Sequence, residues 1–200
     1  MRVLYHIQIM HHVSEVGGPE LFGLRSGAKE LRLYSELLKN YWQEVEEVLR
    51  SLIPSFRGVY IYQDSFLRMH IRFLEKNFQA LVAQCKSPNF LFIKKLIDEG
   101  AILEGVEEAD VDLAYRRALR MKNFSSFHKG MERALLDLRD HVIARGIAAT
   151  LPMDGTGILF IGCGHRVDYH VQRNASDIQI VKPIQLPEEQ LDDLLNRSRA

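Results

Sequence analysis

The chain has 200 residues with 26 basic and 26 acidic side chains, so its formal net charge is zero. Basic residues never run beyond a pair, which gives neither nucleic acid nor an anionic membrane an electrostatic footprint. A hydrophobic fraction of 46% and a charged fraction of 26% suit one globular domain spanning 1–200, long enough to bury a core. No apolar run approaches the roughly 18 residues that span a bilayer. The start of the chain places His6 and Gln8 inside its apolar stretch and offers no small-residue cleavage site, unlike a signal peptide. Cys85 and Cys163 form no metal, redox or disulfide spacing, so a soluble protein in a reduced, cytoplasmic setting is expected.

Val3–Met10 alternates loosely and is rich in aliphatic and aromatic residues, the pattern of a buried strand, and it runs into His11 and His12. Gly17, Gly18, Pro19, Gly23 and Gly27 then make Val13–Gly27 a long glycine-rich loop, a candidate lid. Ala28–Leu52 reads as a helix: Leu31, Tyr34, Leu38, Tyr41, Val45, Val48 and Leu52 recur at three- and four-residue spacing. Trp42 and the tyrosines read as packing. Gly58–Tyr62 gives a second strand, running into Gln63 and Asp64. Helical spacing returns over Phe66–Cys85 and, after Ser87-Pro88, over Asn89–Glu99, which Gly100 caps.

Ala101–Leu103 is a very short strand ending at Glu104. The acids Glu107, Glu108, Asp110 and Asp112 open the next helix and read as its solvated start, favourable against the helix dipole. Phe127–Leu151 is, with Ala28–Leu52, the longest helix and carries two apolar stripes: Met131, Leu135, Leu138 and Val142, and Leu136, Ile143, Ile147 and Leu151. Such a helix is expected to be central. Asp140 projects among the second stripe, and a buried carboxylate needs a partner or a shifted pKa. Arg139 points about 100° away from it, so each must reach a different group, in an ion-pair network or in a site. Gly157–Ile161 is a strand that leaves through Gly162-Cys163-Gly164 to His165. A short helix over Arg166–Arg173, a strand over Asp177–Ile184 and a closing helix over Pro187–Arg199 complete the chain.

Strands alternating with helices predict a single three-layer α/β domain, with a mostly parallel sheet of four or five strands and helices on both faces. Ligands of such sheets sit beyond the carboxyl ends of the strands, where the histidines and acids would gather. His11, His12, Asp64, Glu104 and His165 are the candidate metal ligands, because two imidazoles and a carboxylate can hold a divalent ion with an open position. His12, His165, Arg139 and Asp140 are the candidate catalytic groups. Gly162 and Gly164 would let the backbone approach a cofactor.

Ile161-Gly162-Cys163-Gly164 after a strand also suggests an S-adenosylmethionine-dependent methyltransferase. That pattern wants an acid at Phe160, a third glycine near Arg166, and further strand–helix units beyond the 36 residues that follow Gly164. It ranks third. Taken in order, the strand-end His11 or His12, Gln63-Asp64, Arg139-Asp140 and Gly162-Cys163-Gly164-His165 resemble the superfamily of TraB/Tiki proteins, ChaN-like haem-uptake proteins and erythromycin esterases. Two positions depart from its pattern: Met10 precedes His11 where a glycine is usual, and Gln63 or Asp64 stands where a glutamate is usual. The resemblance implies a strand-end site of histidines and acids, and members act as metal-dependent peptidases, as ester hydrolases or as haem and iron binders. The leading expectation is a metal-assisted hydrolase acting on a small ester, amide or peptide, with Arg139 meeting negative charge on the substrate. The alternative is a non-catalytic module binding haem or iron, with His165 or His12 as axial ligand.

Overall fold

Short apolar runs separated by helical stretches leave no room for hairpins, so neighbouring strands must be joined by crossovers and run parallel. The computed structural model describes residues 1–10, 28–85, 87–120 and 126–191. His11, His12, the Val13–Gly27 loop and most of the closing helix lie outside them; residues 188–191 form that helix's described turn. The strands are β1 (Arg2–Ile9), β2 (Tyr60–Gln63), β3 (Ile102–Glu104), β4 (Thr156–Gly162) and β5 (Ile178–Val181). They form one sheet in the order β3-β2-β4-β1-β5, and every pairing is parallel. The helices are α1 (Ala28–Leu52), α2 (Ile71–Cys85), α3 (Pro88–Asp98), α4 (Ala109–Arg120), α5 (Ser126–Thr150) and α6 (Val167–Asn174). This is the three-layer α/β architecture that the alternation of signals predicts. No helix among the described residues is long and apolar enough to cross a membrane.

Each face of the sheet has its own core. Ile7, Ile61, Ile158 and Phe160 pack under α1, α2 and α3 with Leu38, Val45, Leu49, Phe78 and Ile93. Leu4, Tyr62, Leu159 and Ile161 pack under α5 and α6 with Ile143, Ile147, Val167 and Val171. Tyr41 and Trp42 seat α1 on the end of β1, the Tyr41 hydroxyl donating to the Gln8 carbonyl and the Trp42 indole N–H to the Met10 carbonyl. On the other side His6 Nδ1 lies 2.6 Å from the Asp168 carboxylate, tying the start of α6 to β1.

The connections explain where a site belongs. β1 to β2 and β2 to β3 both step toward the β3 edge through helices on the first face; β3 to β4 and β4 to β5 step back through helices on the second. One crossover hand requires this pairing of direction with face. The chain therefore leaves the adjacent strands β2 and β4 in opposite directions, and their carboxyl ends flank the topological switch point.

Several boundaries differ from the sequence reading for local reasons. β2 starts at Tyr60 because Gly58 is left-handed, with φ of +78°, and donates to the Gly100 carbonyl instead of joining the ladder. Residues 66–70 are not helical. Leu67 forms a parallel bridge with Glu107, and the Phe66 carbonyl accepts from the Val106 and Glu107 amides. That bridge passes so close that a Cβ on Gly105 would stand 2.1 Å from the Leu67 oxygen. Nor is α5 a central helix. Its Ile143–Ile147 stripe, continued by Leu151 just past its end, is buried, but Leu138 on the other is 46% exposed.

Candidate functional site

β2 and β4 present the site. The Asp64 amide donates to the Phe160 carbonyl, extending the ladder one step past Gln63 and fixing Asp64 against the end of β4. Gln63, 2% exposed, takes a hydrogen bond from Asn89 of α3 and donates to Asp64 Oδ1 at 2.9 Å. Oδ2 of Asp64 is left for the other side. Beyond β4 the chain turns tightly, with the His165 amide donating to the Gly162 carbonyl at 3.2 Å. That turn brings the His165 ring beneath α5, where Nδ1 is hydrogen-bonded to Asp140 Oδ1. The second oxygen of Asp140 accepts from the Arg166 backbone amide at 2.6 Å. His165 Nε2 then lies 3.9 Å from Asp64 Oδ2, with the two side chains 8% and 12% exposed. An imidazole held by a carboxylate through Nδ1, with Nε2 turned to a strand-end crevice, is the arrangement of a general base.

Arg139 has a different occupation. Its Nε and Nη2 both donate to the Glu107 carboxylate at 2.7 Å, and Nη2 also reaches Ser65 Oγ at 3.3 Å. Its guanidinium carbon sits 5.2 Å from the centre of the Tyr115 ring. Two edges of the fork are therefore occupied, and Arg139 offers positive potential more than a free anion clamp. Glu107 is 1% exposed, which contradicts its reading as part of a solvated helix start: it precedes α4 and is held inside by the bridge to Leu67. Burial pushes its carboxyl above the ordinary range, while the Arg139 fork and the Ser65 amide pull against that shift. Ser65 carries a positive φ of 66°, a strained conformation for a side chain, and strain of this kind gathers where a backbone is over-determined by its surroundings.

A cavity of about 460 Å³ opens from Asp64. Ser65 and Arg139 continue its polar side, Asp112 and Tyr115 of α4 face them, and Phe66, Leu81, Phe90 and Leu119 form an apolar wall. Asp112, also read as solvated, is 8% exposed; Arg116 donates to its Oδ2 at 2.7 Å. Asp112, Tyr115 or Arg116, and Leu119 recur at helical spacing, a sequence signal for this wall that a reading of the acids as one run obscures.

The structure thus brings together Asp64, Asp140 and His165, and sets Arg139 beside them. Glu104 stands apart at the end of β3, two strands from β4, and is not a cavity wall. His11 and His12 lie outside the described residues. Among those residues no group of three His, Cys, Asp or Glu side chains could hold a metal ion. His165 and Asp64 supply two donors, one short of a catalytic zinc set. Gly162 closes β4 and Gly164 has open space around it, yet the Arg166 amide that a phosphate or carboxylate of a cofactor would use is already taken by Asp140.

Glu104 gives a test of its own. Burial raises its carboxyl above the ordinary value of 4.5, opposed only by Arg68. A raised folded pKa means stability that is complete below the unfolded value and lost as pH rises through the folded one. Glu104→Gln is therefore expected to raise the urea midpoint at neutral pH, with the gain disappearing as pH falls below 4.5. An unchanged or lower neutral midpoint would mean that the carboxylate has a partner that stabilises it.

Comparison with protein-family models, with curated proteins and with solved structures returns no match.

Proposed function

We propose that the chain is a hydrolase-like enzyme acting on a small ester, amide or peptide at the switch point between β2 and β4. The observation that carries this reading is the Asp140–His165 pair, oriented at both ends and directed at Asp64. Asp140 holds the imidazole with its proton on Nδ1, so the lone pair on Nε2 is available to take a proton from water. The hydroxide so formed attacks the substrate carbonyl, and the histidine returns the proton to the leaving oxygen or nitrogen. Asp64 accepts a hydrogen bond from the same water and steadies the imidazolium. Arg139, lining the cavity, favours the negative charge that develops on the carbonyl oxygen.

The order of these residues along the chain, and their likeness to the TraB/Tiki, ChaN-like and erythromycin-esterase superfamily, support the same reading. A panel of p-nitrophenyl esters and aminoacyl p-nitroanilides tests it. Turnover by the wild type that His165→Ala abolishes is the expected result. Turnover that survives His165→Ala, or none on any member of the panel, would overturn it.

A further inference from the structure

We infer that the cavity beside Asp64 binds an amphipathic cation, an apolar group carrying an ammonium or guanidinium, and that substrates of the proposed hydrolase bear such a charge; the second half rests on that reading. The first argument is the charge census. Among the described residues, Asp64, Glu107, Asp112 and Asp140 gather around the dyad and cavity against two guanidiniums, Arg116 and Arg139. Arg139 is engaged by Glu107 and Arg116 by Asp112, which leaves Asp64 and the Asp140–His165 pair to set the sign. The described side chains around the site carry net negative charge whether His165 is neutral or protonated, and a concave site of one sign concentrates the opposite charge.

The second argument is Asp112 itself. It lines the cavity and is 8% exposed, and its Oδ1 is buried without a hydrogen-bond partner, with Arg139 Nη2 3.9 Å away. A buried carboxylate oxygen without a donor is unfavourable. That oxygen is closed off from the cavity in the free protein, so a turn of the Asp112 carboxylate is needed to bring it to a ligand N–H, which then supplies the missing donor and charge of the right sign. The third argument is the apolar part of the lining, where Phe66, Leu81, Phe90 and Leu119 offer surface to a chain or ring. A volume of about 460 Å³ falls within the range of small-molecule sites. Asp64 lines this cavity and lies 3.9 Å from His165 Nε2, so it joins the cavity to the dyad.

Calorimetric titration of the full chain with phenethylammonium, 2-phenylethanol and 3-phenylpropionate at neutral pH tests the cavity without chemistry. Phenethylammonium is expected to bind at least about tenfold more tightly than the alcohol, with the carboxylate weakest. Asp112→Asn, and independently Leu119→Lys, which sets a cation in the wall, should each weaken phenethylammonium about tenfold. Equal binding of ammonium and alcohol, tighter binding of the carboxylate, no binding of any probe, or indifference to both variants would overturn the inference. The two readings fail separately. The expected binding order without ester or amide turnover sinks the hydrolase alone. Turnover without a kcat/KM advantage for cationic over neutral esters sinks the cationic substrate class alone.

Discussion

Asp140→Asn is expected to lower turnover about 10²–10⁴-fold while leaving the chain folded. The reason lies in the two hydrogen bonds of Asp140. Its Oδ2 accepts from the Arg166 amide, and an asparagine would keep its carbonyl oxygen there. The amide nitrogen would then face His165 Nδ1 where a carboxylate oxygen now stands. An N–H donor at that place forces the other tautomer, with the proton on Nε2 and the lone pair turned inward. The ring keeps its position and loses its function as a base toward the Asp64 side. Far-ultraviolet circular dichroism and the thermal midpoint report the fold, and initial rates on the responsive ester report the base. A variant that folds and turns over within about threefold of wild type would show that orientation through Nδ1 is not what His165 uses.

The largest expected effect on stability is at Arg139. Arg139→Met keeps much of the side-chain volume but strips the Glu107 carboxylate, 1% exposed, of two charged hydrogen bonds. Removing one partner of a buried pair typically costs about 3–5 kcal/mol, because the remaining charge stays desolvated. The Ser65 amide alone cannot hold it. Urea unfolding is the measurement, and adding Glu107→Leu to Arg139→Met should recover most of the loss, since the uncompensated charge then disappears. The pH dependence has a definite sign. Burial already raises the Glu107 carboxyl above its ordinary 4.5, and loss of Arg139 removes the main opposing cause. Stability of the single variant should therefore be least impaired below 4.5, where the carboxyl is protonated in both folded and unfolded chains, and fall as pH rises. A loss under about 1 kcal/mol, or one independent of pH, would mean that Glu107 finds another cation or reaches water.

Much of the scaffold is legible in the residues because two periodicities carry it. Val3–Met10 and Gly157–Ile161 could only be strands, and the helical spacing over Ala28–Leu52 coincides with α1 residue for residue. Asp140 was detectable for the same reason: one carboxylate inside an apolar stripe requires a partner, and the turn after Gly162 supplies His165. Glu107 was not detectable that way. In sequence it is the first of several acids before a helix, and only the backbone bridge of Leu67 to Glu107, permitted by Gly105, draws it inward while Glu108 and Asp110 stay exposed. A buried Arg139 implied an acid somewhere, but strand order decides which one. Glu104 and Asp64 likewise looked equivalent as strand-end acids. Only the order β3-β2-β4 shows that Asp64 is the one beside His165.

The most direct measurement of the central claim is nitrogen-15 NMR of the histidine rings, with His165 assigned by comparison with His165→Gln. Neutral His165 is expected to carry its proton on Nδ1, hydrogen-bonded to Asp140, with a bare Nε2, and Asp140→Asn is expected to reverse the two. An Nε2-protonated ring in the wild type, or a tautomer unmoved by Asp140→Asn, would contradict it.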